Sequence, residues 1–434
     1  MKTISPKKLG KYLNALFFGI SLVAVLSMVY GLGFSQPPVI RQILYWVYLT
    51  AIGGGAVSTL SRYIFTERLP SPKVRAVDAF LFLFLALLLL QRAGWVNIPV
   101  LAGRPWLYAS ILLIFIREFS ALNVDFYHEY LNPAQLFIAS FISIILIGAF
   151  LLILPKATYS GISFIDALFT STSAVCVTGL IVVDTGSYFT EFGQWVVILL
   201  IQAGGIGIMT FTSYFSYFFR GGSSYENQLL LKDMANLEKA GEVFSTLKKI
   251  ILLTFIIETI GAGVVFLSLE ESPITSTSEK VFFSIFHSVS AFCNAGFSTL
   301  ENSLFEPGYR FLYPLHITIA ILFIIGGIGF PIAFNFFKYL KHIFYRQILR
   351  VENHYLPWII NINTRIVLAT TSILLLSGTA LFYFFEYNNT LAEHRGVGKL
   401  ATAFFGAATP RTAGFNSIDT AALNLPTLMI VFLL

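Results

Sequence analysis

The stretches Gln135–Leu154, Ile250–Leu269 and Ile366–Tyr383 each run about 20 apolar residues, the length an α-helix needs to cross roughly 30 Å of hydrocarbon. Backbone N–H and C=O groups find no water in lipid and must pair within their own segment. A chain made of such stretches is therefore predicted to be an all-α polytopic membrane protein. Composition agrees: 434 residues, 56% of them hydrophobic and 12% charged, against about 25% charged in an ordinary soluble domain. The formal net charge of +6 needs no nucleic acid to explain it, because lysines and arginines collect at the ends of apolar segments, as cytoplasmic anchors do. Cys176 and Cys293 both lie inside apolar segments, which argues against a disulfide framework. Near the start, Lys2, Lys7, Lys8 and Lys11 precede a span from about Tyr12 to Gly33 that is too long for a cleavable signal peptide and lacks a cleavage site.

Residues 1–130 hold four apolar segments, near 12–33, 41–62, 76–95 and 105–116. Arg62, Arg68, Lys73 and Arg75 mark the connection between the second and third as cytoplasmic, which also puts the N-terminus on the cytoplasmic side. Glu118–Pro133, with Asp125, His128 and Glu129, reads as a polar connector.

From residue 131 the chain repeats one unit: a long apolar helix, a short half-polar segment, a glycine loop and a second long helix. In residues 131–249 these are Gln135–Leu154, Phe164–Ser173, Val177–Leu180 and about Gln194–Phe219. In residues 250–361 they are Ile250–Leu269, Phe282–Ala291, Asn294–Phe297 and about His316–Phe337. In residues 362–434 they are Ile366–Tyr383, Leu400–Ala408, Thr412–Phe415 and a helix from about Pro426. The central glycines, Gly179, Gly296 and Gly414, are 117 and 118 residues apart.

Arg220, Lys232, Lys239, Lys248 and Lys249 follow the first unit, and Lys338, Lys341, Arg346, Arg350 and Arg365 follow the second. The stretches around the glycine loops are poor in basic residues, so the loops are expected to enter from the outer face and return to it. Non-helical backbone at that depth must be buried in protein or line a watery cavity. A short helix ending at such a loop aims its partial negative charge at it, which favours a cation. Glycine with φ > 0 can turn successive carbonyls toward one axis, and rings of carbonyl oxygens are how potassium filters replace an ion's hydration shell. No carboxylate occurs in any of the three loops.

The Val175-Cys-Val-Thr-Gly-Leu180 segment, with Phe169-Thr-Ser-Thr-Ser-Ala174 before it and Val182-Val-Asp-Thr-Gly186 after it, resembles the first pore loop of the Trk/Ktr/HKT potassium transporter superfamily. Ser290-Ala-Phe-Cys-Asn-Ala-Gly-Phe-Ser298 resembles the second, and Thr409-Pro-Arg-Thr-Ala-Gly-Phe-Asn416 the third. Gly204-Gly-Ile-Gly207 and Gly326-Gly-Ile-Gly-Phe-Pro331 fit the same pattern, and the likeness covers about residues 132–434.

The resemblance implies helix–re-entrant pore loop–helix repeats, three of an expected four, after an N-terminal extension of about four helices. It implies a potassium ion, with imperfect exclusion of sodium, on the backbone of Val177, Thr178, Gly179 and Leu180, of Asn294, Ala295, Gly296 and Phe297, and of Thr412, Ala413, Gly414 and Phe415. It further implies a homodimer in lipid, in a bacterial inner membrane, with a cytoplasmic RCK-type nucleotide-binding regulatory subunit. No transition metal and no organic cofactor on this chain are expected. The chain stops at Leu434, inside what the family makes the second helix of the third repeat. The family's gating loop and fourth repeat would lie beyond it, so a C-terminally truncated chain that does not conduct alone is expected.

Several residues admit two readings. Val183-Asp-Thr-Gly-Ser187 looks like an aspartic protease signature, but such an enzyme needs two carboxylates sharing a proton and no second Asp-Thr/Ser-Gly occurs. Asp184 is instead expected in the outer vestibule, where it either enriches cations or faces water. Arg411 either anchors its loop through an acid such as Asp184 or reaches outer water. His287 is expected to pack through hydrogen bonds rather than line the pore. Cys176 and Cys293 are read as small packing residues, and the two Gly-Gly-Ile-Gly runs as close helix packing or a kink rather than phosphate sites. The basic stretch 338–350 is an orientation signal, with regulator docking as the second reading. The function expected is the ion-translocating subunit of a potassium uptake system, not an enzyme. The alternatives are a membrane-embedded hydrolase using Asp184 and a non-conducting structural or regulatory subunit.

Overall fold

The computed structural model describes residues 6–65, 71–121, 133–218, 242–330, 332–336, 339 and 361–434. The basic residues Arg68, Arg220, Lys232, Lys239, Lys338, Lys341, Arg346 and Arg350, and the connector residues Asp125, His128 and Glu129, lie outside them. Among the described residues the regular structure is helical, and six helices are long and apolar enough to span a membrane.

The chain divides into two compact units. The first contains α1 (Pro6–Gly33), α2 (Pro38–Phe65), α3 (Pro72–Arg92) and α4 (Arg104–Ala121). Pro6, Pro38 and Pro72 open three of them, at the position where a missing N–H costs nothing. Their apolar faces close on Ile52, Leu85, Leu88 and Ile114. The fourth helix runs past the expected stop at 116, through Arg117 and Glu118, because both charges are paired. Arg117 grips Asp78 through two bonds, Nε to Oδ1 at 2.5 Å and Nη2 to Oδ2 at 2.9 Å, and Arg62 meets Glu118 at 2.5 Å.

The second unit contains α5 (Pro133–Leu152), α6 (Phe164–Val175), the single turn α7 (Thr185–Tyr188) and α8 (Glu191–Phe218). It continues with α9 (Glu242–Leu267), α10 (Thr277–Phe292), α11 (Tyr313–Ile328), α12 (Ile362–Glu386), α13 (Val397–Ala408) and α14 (Leu425–Leu433). Helices α6, α10 and α13 have 12, 16 and 12 residues. At 1.5 Å per residue they reach only about 18 to 24 Å, too short to cross.

Each short helix lies against a glycine of the long helix before it. A Cβ at Gly148 would collide with Ser171, one at Gly261 with Ser288, and one at Gly378 would lie 3.3 Å from Ala407 Cβ. In the third repeat the two flanking helices are also joined, because Glu386 at the end of α12 accepts from Thr427 Oγ1 at 2.6 Å and Asn424 N at 2.9 Å at the start of α14.

Helix α11 departs from the continuous His316–Phe337 span expected. It stops at Ile328, Gly329 adopts φ 85 and ψ 152, and the helix resumes beyond it. Helix α8, carrying the same Gly-Gly-Ile-Gly run, is unbroken through Phe218.

Candidate functional site

The short helices α6, α10 and α13 end at the three glycine loops. In the first two loops the chain reverses at a non-glycine residue of positive φ, Val177 at 55 and Asn294 at 60. Asparagine visits this region with little strain, whereas a β-branched valine there is an outlier. The third loop turns differently, through the 3₁₀ turn Thr409–Arg411 and an extended Thr412 at φ 168. In the first two, the next amide folds back on the short helix, Thr178 N to Ser173 O at 2.8 Å and Ala295 N to Ser290 O at 2.7 Å; in the third it folds back on the 3₁₀ turn, Ala413 N to Thr409 O at 3.0 Å.

The central glycines then take the same left-handed conformation, φ 79 at Gly179, 72 at Gly296 and 75 at Gly414. They also meet. A Cβ on Gly179 would lie 2.5 Å from the Ala295 carbonyl oxygen, and one on Gly296 would lie 2.8 Å from that of Ala413. Gly179 and Gly296 thus each abut the loop of the following repeat, in one rotational sense. The nearest heavy atom to a Cβ on Gly414 is Gly296 Cα, at 3.2 Å.

The residue after each glycine faces the other way round the ring. Phe297 packs in the core with Val175 and Val197 of the first repeat, and Phe415 in the core with Val265 and Leu315 of the second. Leu180, at the same position of the first loop, is 59% exposed. Hydroxyl groups brace the second and third loops: Ser290 Oγ donates to Phe297 O at 2.7 Å and Thr409 Oγ1 to Phe415 O at 2.6 Å. Ser173 Oγ, the counterpart in the first loop, is buried with no hydrogen-bond partner among the described residues.

The Gly-Gly-Ile-Gly runs wall this ring from behind. A Cβ on Gly204 would strike the carbonyl of Val175, and one on Gly326 that of Phe292, the last residues of α6 and α10. A Cβ on Gly205 would lie 2.5 Å from Cys293 Sγ and one on Gly327 3.1 Å from Thr412 Oγ1. The first glycine of each run therefore seats its own short helix, and the second seats the next repeat.

Above the glycines opens a vestibule of about 330 Å³ lined by Gly179, Gly296 and Gly414 together with Asp184, Glu301 and Asp419. Asp184 is the N-cap of α7: its Oδ1 accepts from Gly186 N at 2.8 Å and Ser187 N at 3.0 Å. The protease-like motif is thus a capping turn, and Gly186 within it packs against the Thr299 carbonyl.

Arg411 does not pair with Asp184. Its guanidinium donates to Thr371 on α12, Nη2 to Oγ1 at 3.2 Å. His287 is fully buried, bonded to Phe283 O at 3.0 Å and Ser298 Oγ at 2.9 Å, a packing role. Cys293 is buried beside its loop, but Cys176, at the equivalent helix end, is exposed. The loop before α11 is sealed by Tyr309, stacked on Phe283 at 5.5 Å. Burial and then the nearby Glu306 push its phenol up to about 12.

One carboxylate was not singled out from the sequence. Glu258, in the middle of α9, accepts from Gln202 Nε2 of α8 at 3.1 Å, and its main-chain carbonyl accepts from Ser288 Oγ of α10 at 2.8 Å. Its signal was a lone acid inside an otherwise apolar 20-residue helix stretch, which is costly unless it is bonded.

A model of the TrkH family of cation transport proteins matches residues 111–434. Ktr system potassium uptake protein B of Vibrio alginolyticus is 37% identical over 306 residues, 69% of this chain and 63% of that protein. Potassium/sodium uptake protein NtpJ of Enterococcus hirae is 38% identical over 292 residues, 67% of this chain and 60% of that protein. The chain thus spans less than two thirds of the length of these relatives. In three dimensions it resembles the crystal structure of the potassium transporter TrkH from Vibrio parahaemolyticus, with a TM-score of 0.52 and 16% identity, over 82% of this chain and 66% of that one.

Proposed function

The chain belongs to the TrkH family of cation transport proteins, and from that premise we propose that residues 131–434 form the ion-translocating part of a potassium uptake system. The observation that carries this is the close approach of three left-handed glycines at the ends of three membrane-embedded short helices. Potassium, with some sodium, would be held by the backbone carbonyls of Val177–Leu180, Asn294–Phe297 and Thr412–Phe415 at the negative ends of those helices. Relatives named for potassium and for potassium/sodium uptake support this choice of ion. A further loop of the same kind would close the ring between Gly414 and Leu180.

The domain scheme goes with this reading: an N-terminal extension over 1–130, then pore repeats over 131–249, 250–361 and 362–434. So does the assembly: a homodimer in a bacterial inner membrane, N-terminus cytoplasmic, with a nucleotide-binding regulatory subunit on the inner face. The name "Ktr system" of two relatives supports a multi-component assembly.

The test is potassium and sodium flux into liposomes holding the full-length protein, with the further loop that closes the ring. Potassium flux that loses its preference over sodium in Gly179→Ser is expected. Absence of any monovalent cation flux would overturn the reading. Asp184→Asn separates it from the hydrolase alternative, since asparagine caps a helix as well as aspartate. Flux should survive that substitution, whereas a catalytic carboxylate would not tolerate it.

A further inference from the structure

Asn294 does more than turn the second loop. With its amide orientation assigned from the surrounding donors and acceptors, Nδ2 donates to Phe323 O at 2.9 Å and to Thr412 Oγ1 at 3.0 Å, and Oδ1 accepts from Gly327 N at 3.0 Å. Gly327 N–H and Phe323 C=O stand four residues apart on α11. They are the two groups that pair with each other in an uninterrupted α-helix. The carboxamide therefore sits across one rung of the helix ladder, a recognised cause of helix kinks.

Directly beyond that rung the helix breaks: Gly329 N bonds Gly326 O at 3.1 Å in a tightened turn, and Gly329 has φ 85. A narrow apolar crevice lined by Leu253, Ile257, Phe292, Gly326, Gly329 and Phe330 runs beside the break. The first repeat supplies a comparison within the same molecule, with one difference in sequence besides the loop residue: Pro331 follows the second glycine run, and a proline has no N–H to donate to the carbonyl four residues back, so it ends the ladder beyond Gly327 by itself. Its glycine run is equally well seated, with Gly204 on the Val175 carbonyl as Gly326 is on that of Phe292. The residue at the loop position of Asn294 there is Val177, also at positive φ, with no amide to insert. Helix α8 stays continuous.

We propose that Asn294 is a positioning residue that holds open the Phe323–Gly327 rung of α11, just ahead of the break at Gly329, and ties that rung to the third glycine loop through Thr412. Bending of the inner half of α11 and the shape of the ion-binding ring then change together. The idea rests on the ion-conduit reading for its functional consequence, but its structural half stands apart. In Asn294→Val, Gly327 N–H and Phe323 C=O are left to pair with each other, so the ladder of α11 should close as far as Gly327, while Pro331 still ends it beyond.

The experiment combines amide hydrogen exchange with flux on the whole protein in liposomes. In Asn294→Val, exchange at Gly327 should slow about tenfold while that at Gly329 stays as it was, and the potassium-over-sodium flux ratio should fall about threefold to tenfold, the factor a single hydrogen bond is worth. Thr412→Val cuts only the tie to the third loop. It should lower the flux ratio while leaving exchange at Gly327 and Gly329 as it was. Unchanged exchange at Gly327 in Asn294→Val, or an unchanged flux ratio in Thr412→Val, would overturn the proposal. Absence of flux in the unsubstituted protein would instead defeat the conduit reading and leave the exchange result to decide the structural half.

Discussion

A Cβ placed on Gly179 or Gly296 meets two penalties at once. The left-handed backbone costs an L-residue on the order of 1–2 kcal/mol, and the new carbon would lie 2.5 Å or 2.8 Å from a carbonyl oxygen of the next loop. That oxygen belongs to backbone fixed by a short helix and cannot swing aside. Gly414 shares the conformation, φ 75, but its nearest obstacle is Gly296 Cα at 3.2 Å. The ranking that follows is specific: Gly179→Ala and Gly296→Ala should each lower the unfolding temperature in detergent more than Gly414→Ala does. Thermal unfolding of the three purified variants checks it, and a Gly414→Ala protein as unstable as the other two would show that strain alone, not loop-to-loop contact, sets the cost.

At the scale of elements, the first unit carries an ion network at the joined ends of α2, α3 and α4. Asp78 and Glu118 are 1% and 2% exposed, with Arg117 and Arg62 as their partners, and Tyr63 Oη adds a 2.8 Å bond to Asp78. Removing one member of a buried pair leaves the other charge without compensation, at a cost of about 3–5 kcal/mol. Asp78→Ala is therefore expected to destabilise the protein by roughly that amount. The double variant Asp78→Ala with Arg117→Met should recover much of it, because no charge is left stranded. Denaturant titration of the two variants provides the comparison.

This network was not legible in the sequence, although every residue of it was visible there. Periodicity and length located these helices because the membrane demands apolar runs of fixed size, although α9 begins at Glu242 rather than Ile250 and α11 ends at Ile328 rather than Phe337. What such runs cannot reveal is which charge inside or beside one helix meets which charge on another. The same limit governs the ring. Gly179, Gly296 and Gly414 stood out because only glycine takes a left-handed turn without strain. Val177 at φ 55 carries no such mark, being a residue that ordinarily avoids that region. Asn294 gave no sign of its role either, since its partners Phe323, Gly327 and Thr412 lie 29 to 118 residues away in the chain. Arg411 was expected either to seek an acid or to reach outer water, and it found the Thr371 hydroxyl instead, on a helix whose acid, Glu386, stands at its far end.

At the scale of the whole molecule, charge is unevenly spent. The formal balance is +6, yet the vestibule over the glycine ring is lined by Asp184, Glu301 and Asp419 and by no lysine or arginine. Two of these acids are occupied in part: Asp184 caps α7 and Asp419 accepts from Ala421 N at 2.9 Å. Glu301 is exposed and makes no hydrogen bond or ion pair among the described residues, which leaves its field for the entering ion. A unit charge about 6 Å from a cation in water is worth about 0.7 kcal/mol, or roughly a threefold change in local concentration. Glu301→Gln should accordingly raise the KM for potassium about threefold at an ionic strength near 0.01 M, with kcat and unfolding temperature unchanged. Screening shortens from about 30 Å to about 8 Å on going to physiological salt, so the same substitution should have a smaller effect there. Flux measured at both ionic strengths separates this from a contact role. An effect of equal size at both would mean that Glu301 binds the ion or the loop directly, and no effect at either would mean that the vestibule field does not govern entry.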